Sequence, residues 1–311
     1  MSDRLPPLTA LRAFEAAARH LSFARAADEL GVTPAALSFQ IKSLEEHLGQ
    51  PVFRRLNRAV ELTEAGRALE PGAREGFAML TAAWRSARKL NDTSVLTVTA
   101  GPAFTSKWLA PRLFSFAQEN PDIELRFSAS LRIMDFDRDE VDLAIRFGQG
   151  ADEGFYSRVL IEEWMAPMLT PALARGISRP EHLLELPLLH QDDIAFLDPP
   201  ADWPAWFKAA GVAADRTAGT HFSQADHAIN AALAGAGVVL GRVSLAEAHL
   251  REGQLVMPFD LALWANATYR LVCPEGMEVR PQIARFIEWT AGQVAEIEAL
   301  TRRQSFPQPG V

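Results

Sequence analysis

The stretch from Phe23 to Leu48, FARAADELGVTPAALSFQIKSLEEHL, leaves few local structures open, because its start and stop signals delimit two short helices and the turn between them. Ser22 precedes the first helical run and offers a side-chain oxygen to an unpaired backbone N–H, while Gly31 ends it with a residue that tolerates a left-handed backbone. Thr33 stands as a second N-cap, and Pro34 follows at the first helical position, where its missing N–H costs nothing. On the second helix Leu37, Ile41, Leu44 and Leu48 recur at helical spacing and make one apolar stripe. Ala35, Ser38, Phe39 and Lys42 project from the opposite side, so the pattern predicts a helix docked by one face and free on the other.

VFRR at Val52–Arg55 and VELT at Val60–Thr63 alternate apolar and polar residues around Leu56, Asn57 and Arg58, which predicts a two-stranded wing with Arg54, Arg55 and Arg58 near its tip. Guanidiniums there pair with phosphates, contacts that position a protein on DNA without reading its sequence. A free helix face beside a basic wing is what a winged helix-turn-helix presents to a DNA groove. The whole chain carries a net charge of −8, which at first argues against nucleic acid, but the charge is unevenly placed. Residues 1–90 hold 13 lysines and arginines against 10 acidic residues, leaving 18 against 29 in the remainder. Only the N-terminal part attracts a duplex, so a small reading head carried by a larger acidic body is expected.

From Thr63 the sequence is helical again. Leu69, Ala73, Phe77, Leu80 and Trp84 fall three and four apart, close to a coiled-coil seam, and form a candidate dimerisation helix. Pro71 sits near its start, and Asn91, Asp92, Thr93 and Ser94 end it at a hinge. Beyond the hinge, strand-like runs alternate with helical patterns: VLTVTA at Val95–Ala100, a helix around Trp108–Asn120, IELRFSA at Ile123–Ala129 and VDLAIRF at Val141–Phe147. A second set runs from about Met168 to Ala265, with strands at Leu188–Leu189, Gly219–Phe222 and Val238–Gly241 and helices at Trp206–Ala210 and Ala225–Leu233. This alternation predicts parallel α/β layering.

The chain is long enough, at 311 residues and 48% hydrophobic content, for two or three domains with their own cores. Cys273 is its only cysteine, which rules out an intrachain disulfide and a multi-cysteine metal site, and the strand pattern YRLVC makes it a small buried hydrophobe. Neither a signal core nor a membrane-length apolar run is present, so a cytoplasmic protein without membrane contact is expected. An enzyme, or a solute-sensing α/β domain with an appended DNA-binding domain, is the competing reading. It lacks a G-x-S-x-G elbow, an H-E-x-x-H pair and a phosphate-binding G-x-x-x-x-G-K-[ST] loop. GAGVVLG at Gly235–Gly241 has the wrong spacing for a dinucleotide fingerprint, and its apolar centre reads as a strand after the glycines. The histidines share no metal-ligand spacing; His221 and His227 flank a predicted loop. No catalytic residue, cofactor or metal is expected. A purely architectural DNA-binding protein would not need some two hundred acidic, α/β-patterned residues.

The run LTALRAFEAAARHLSFARAADELGVTPAALSFQIKSLEEHLGQPVFRRLNRAVELTEAG resembles the DNA-binding end of LysR-type transcriptional regulators, and the resemblance continues through SKWLAPRL, VDLAIRFG, ALAGAGVVLG and YRLVCPEG. Within that family it resembles the branch that includes glycine-cleavage and beta-lactamase activators. The resemblance implies an N-terminal all-α winged helix-turn-helix (1–62), a linker and dimerisation helix with its hinge (63–92), and a two-lobed periplasmic-binding-protein-like α/β domain (93–301). Lobe I would comprise 93–167 and 268–301, lobe II 168–267, and 302–311 a flexible tail. Implied DNA-binding residues are Ser22, Thr33, Pro34, Ala35, Ser38, Phe39, Gln40, Lys42, Arg54, Arg55, Arg58 and Thr63. Between the lobes a small-molecule effector would meet Ala103, Phe104, Thr105 and Ser106 after the first strand, Phe147 and Gly148, Phe196, then Ser223, Gln224 and Ala225, and Tyr269. Trp164 and Trp264 are further candidates for apolar wall. Implied partners are double-stranded promoter DNA, the effector, further copies of the chain in a dimer or tetramer, and RNA polymerase. Two departures stand out: Phe39 replaces a usual basic or histidine residue of the recognition helix, and Ala103 and Ala225 replace a threonine and a serine that bond a ligand carboxylate in related activators.

Overall fold

A computed structural model of the chain describes residues 5–55, 60–89, 93–136, 139–214 and 217–307, and divides into two compact units, 1–90 and 91–311. The first unit contains α1 (Leu8–His20), α2 (Phe23–Leu30), α3 (Pro34–Leu48), β1 (Phe53–Arg55), β2 (Val60–Leu62) and α4 (Glu64–Lys89). Ser22 Oγ accepts from Arg25 N, Thr33 Oγ1 accepts from Ala36 N at 3.2 Å, and Gly31 turns the chain at φ +65°, as the capping signals predict. Ala10, Ala13 and Ala17 of α1 are buried against Ala26, Leu37, Ile41 and Leu44, small residues letting the three helices approach closely. Leu48 departs from the expected stripe: it is 42% exposed, because α3 ends there and Gly49 carries the chain away at φ +80°.

The wing is antiparallel, with Phe53 opposite Leu62 and Arg55 opposite Val60. Two contacts fasten it. Glu45 Oε1 on α3 accepts from Val52 N at 2.9 Å, and a side chain at Gly66 would meet the Val52 carbonyl oxygen at 2.2 Å, so α4 starts against this strand only because residue 66 is glycine.

In the second unit come β3 (Val95–Ala100), α5 (Pro102–Phe104), α6 (Leu113–Glu119), β4 (Glu124–Ala129), β5 (Leu143–Gly148) and β6 (Phe155–Met168). They are followed by α7 (Pro171–Ala174), β7 (Leu188–Gln191), α8 (Trp203–Ala209), β8 (Gly219–Phe222), α9 (Ala225–Leu233), β9 (Val238–Arg242), α10 (Val243–Arg251), β10 (Leu263–Pro274), α11 (Pro281–Gly292) and α12 (Ala295–Thr301). A π turn at Thr105–Leu109 and a 3-10 turn at Ala110–Arg112 make α5 and α6 one continuous helical run.

The strands order as β4-β3-β5-β10-β6-β9-β7-β8 in a mixed sheet. The β4-β3-β5 and β9-β7-β8 groups are each parallel, while β6 and β10 run antiparallel to their neighbours and span both groups. These two long strands are the crossovers of a two-lobed domain. Their pairing breaks between Trp264 and Thr268, where Asn266 adopts φ +48°. β6 is absent from the sequence reading because its first half is largely exposed and its second almost wholly buried, which gives no single period. Helix α8 also begins three residues before its expected start, because Asp202 Oδ1 accepts from Ala205 N at 2.9 Å and caps it there.

Candidate functional site

On α3 the free face is as the pattern predicts: Ala35, Phe39 and Lys42 are exposed, Phe39 by 69%, and Ser38 and Gln40 are half-buried. Lys42 Nζ lies 3.6 Å from Glu46, an exposed pair of the kind that contributes little and leaves the ammonium able to change partners. Pro34 is exposed in the first turn. Ser22 and Thr33 spend a hydroxyl lone pair on capping, and the Thr63 hydroxyl donates to the Pro51 carbonyl at 2.8 Å and accepts from Gly66 N. Arg54 is exposed on the wing; the Arg55 side chain and all of Arg58 lie outside the described residues.

Of the expected dimerisation stripe, Leu69, Ala73 and Phe77 pack on the core of their own unit. Leu80 and Trp84 are 55% and 69% exposed, joined by Met79 at 68%. The stripe therefore divides, its first half closing the head and its second half left uncovered.

In the other unit, a cavity of about 600 Å³ opens beyond the ends of β3 and β5. Its aromatic wall is a stack: the rings of Phe104 and Tyr269 lie 4.2 Å apart, Tyr269 and Phe147 4.7 Å, and Phe196 meets Phe147 edge-on at 6.0 Å. Ala103, Gly148 and Gln224 also line it. Thr105, Ser106, Ser223 and Ala225 do not. Ser106 faces a different cavity and donates to the Ala103 carbonyl, and Ala225 is fully buried in the core, so only one of the two alanines can touch a ligand. Trp164 is buried with its Nε1 donating to Thr301, and Trp264 stacks on Phe306 at 4.1 Å, which removes both from the expected wall. His221 stacks on His190 and bonds Asp192.

Sequence reasoning missed the charged part of the cavity. Arg242 closes β9 at 3% exposure, donates from Nη2 to Asp193 at 2.6 Å, and places its guanidinium 4.8 Å from the Phe147 ring centre. Burial opposes its charge, but Tyr269, Asp193 and Glu163 outweigh that and hold its pKa above the ordinary value. Burial also raises Tyr269, so the phenol keeps its proton. In the connection between β5 and β6, Asp152 accepts from Arg270 Nε at 2.7 Å and from Arg146 Nη1 at 3.3 Å. Burial works to raise this carboxyl, yet the hydrogen bonds from Arg270 and Ser157, with Arg146, keep it below its usual range. Arginines lying in strand patterns carry no sequence signal for this role, because which strand end faces the cavity depends on the order of strands in the sheet.

Aromatic rings beside fixed ion pairs line a cavity with room for a small molecule, and on the other unit a free helix face sits beside a wing. Together these define a DNA-binding regulator with a ligand-binding domain. Residues 8–67 match the bacterial regulatory helix-turn-helix protein, lysR family, and residues 91–295 match the LysR substrate binding domain. The chain belongs to the LysR family of transcriptional regulators. It is similar to the glycine cleavage system transcriptional activator of Escherichia coli K12, 39% identical over 299 residues that cover 95% of this chain and 96% of that protein. The transcriptional activator AmpR of Pseudomonas aeruginosa is 39% identical over 298 residues, covering 95% and 98%. The solved effector domain of AmpR from Pseudomonas aeruginosa superposes with a TM-score of 0.54 at 30% identity, over 67% of this chain and 98% of that domain. The protein is thus a regulator with an effector-binding domain and not an enzyme, and its family binds promoter DNA and small-molecule effectors. Among the described residues no helix is long and apolar enough to cross a membrane.

Proposed function

We propose that residues 1–62 read promoter DNA through the exposed face of α3 and the basic wing, that 63–92 carry dimerisation, and that 93–301 sense an effector in the cavity of about 600 Å³. Phosphate contacts fall to Arg54, Arg55 and Arg58, and base contacts to Ser38, Phe39, Gln40 and Lys42. A phenyl ring touches a thymine methyl but cannot bond guanine, so Phe39 favours an A·T pair where it lands. The regulator works in the cytoplasm as a dimer or tetramer, and through its DNA-bound position it influences RNA polymerase.

The observation that carries the effector reading is the aromatic stack of Phe104, Tyr269 and Phe147 with Arg242 and Asp193 beside it. It favours a ligand with a flat apolar part and a hydrogen-bonding edge. Ala103 lines the cavity without a hydroxyl to offer, so carboxylates should bind weakly. Calorimetry on the protein with small aliphatic and aromatic carboxylates tests this. Ala103→Thr should strengthen them by about 0.5–3 kcal/mol, the range of neutral to charge-assisted hydrogen bonds. Tight carboxylate binding by the unmodified chain, or no gain in the variant, overturns the assignment of this wall.

A further inference from the structure

A second cavity, of about 430 Å³, opens between the helical run that follows β3 and the helix α10 that follows β9. Lys107, Arg112, His249 and Arg251 line it together with Glu252 and Gln293, and none of the six lines the larger cavity. The π turn at Thr105–Leu109 sets the division. Ala103 and Phe104 face the larger cavity, and Ser106 and Lys107, only a few residues on, face this one. Such turns recur at functional sites because they re-aim side chains that a regular helix would keep in register.

The basic groups are not equally committed. Arg112 and Arg251 both donate to Glu247, Arg251 at 2.9 Å, and Glu247 is 1% exposed beneath them. Lys107 Nζ instead donates to Asn230 Oδ1 at 2.6 Å and sits 3.4 Å from His249 Nε2. Because an ammonium only donates, His249 Nε2 is the acceptor, and Nδ1–H donates to Gln254 Oε1 at 2.6 Å. Both partners of Lys107 are therefore uncharged, and among the described residues no carboxylate forms an ion pair with it. Asp226 acts on it only through space, while burial disfavours its charge and lowers its pKa. Arg112 and Arg251 are thus balanced by Glu247 and Glu252, whereas Lys107, which also lines the cavity, meets only the through-space field of Asp226.

We infer that this second cavity is a phosphate-binding site, separate from the effector cavity. Lys107 and the half-exposed Arg251 offer separate N–H donors, since Arg112 is divided between Glu247 and the Trp108 carbonyl and Arg251 gives Nη1 to Glu247 with Nη2 4.0 Å from Glu252. Scattered point donors suit a tetrahedral oxyanion better than a planar carboxylate, which favours a bidentate fork. Free phosphate and a phosphate monoester share this chemistry. Bound there, the anion ties the helical run after β3 to α9 and α10, and the same run forms part of the effector cavity wall. Any influence of phosphate on effector affinity is then matched by an equal influence of the effector on phosphate affinity.

Calorimetric titration of the full-length chain with inorganic phosphate, at low ionic strength and near pH 7.5, tests the site. One saturable site per chain is expected, weakened about tenfold or more in Lys107→Gln, which corresponds to loss of one charge-assisted contact. Arg251→Gln, at an exposed side chain, should weaken it as well and decides the matter if Lys107→Gln does not fold. Hydrogen exchange should slow in 105–112 and 245–252 when phosphate is added. Glycerol 3-phosphate is titrated in parallel: tighter binding than inorganic phosphate assigns a monoester as the ligand, and equal or weaker binding assigns the free ion. Absence of saturable binding, unchanged binding in both variants, or protection confined to residues 5–55 overturns the proposal.

Discussion

Phe39 is a large apolar residue at 69% exposure on a helix whose other face is fully committed to the core, so its side chain does nothing for folding. Phe39→Ala should leave thermal stability within about 0.5 kcal/mol, as for surface substitutions generally, while changing preference among operator sequences by about 1–3 kcal/mol. Melting curves and gel-shift titrations on variant operators check the two halves. Glu29 shows the opposite economy. Hydrogen bonds from Arg19 and His20 hold its carboxyl at about 2, against an ordinary value of 4.5, and join the end of α1 to α2. A carboxylate depressed in the folded state stabilises it above the unfolded pKa and loses that effect as pH falls through the folded one. Glu29→Gln should therefore speed hydrogen exchange in α2 at pH 7, and the gap from the unmodified chain should close between about pH 4.5 and pH 2. Cys273 is fully buried, and burial pushes its thiol up to about 12. It should stay unreactive to a disulfide reagent until the domain unfolds, measured by release of the reagent's chromophore.

Helix α4 combines two tasks that its spacing does not separate. Leu69, Ala73 and Phe77 pack on α1 to α3, whereas Leu80 and Trp84 have no cover in their own unit. Leu80→Glu with Trp84→Glu should split the oligomer in sedimentation velocity while leaving the melting of the head unchanged. Phe77→Glu should instead lower that melting temperature, because it places a charge against the head's own core. An intact oligomer in the double variant would remove α4 from the interface. α2 and α3, with both a period and side-chain caps, run where the pattern puts them, and so do β3 and α9 on their period alone. Two other elements were not legible. β6 changes from exposed to buried along its length, and α8 takes its start from Asp202, whose cap lies upstream of the apolar run.

The chain joins a head of positive balance to an acidic body, and the fold keeps these as two compact units. DNA affinity should fall steeply with salt, and if Arg54, Arg55 and Arg58 contact phosphates as proposed, removing each should reduce the slope by about one, the counterion released per phosphate contact. Gel-shift titrations across a salt series measure that slope. Residues 91–311 contain a continuous core that includes Trp108, Phe116, Trp164 and Phe286, and should melt cooperatively when expressed alone.

Local chemistry settled the helix-turn-helix, its caps and the free face of α3, because those signals act between residues a few positions apart. The resemblance, with the alternation of elements, also singled out Phe104 after the first strand, Phe147 near the end of β5 and Tyr269 on β10, which meet in the cavity. The sheet's order decided the rest. Arg242, Asp193, Asp152 and Arg270 come from four separate places in the chain and face one space only after β10 and β6 have crossed between the lobes. Whether Ala225 faces a ligand or the core, and whether Phe77 faces a partner or its own head, depends on which surface reaches it first, a matter of packing between distant segments that periodicity cannot encode.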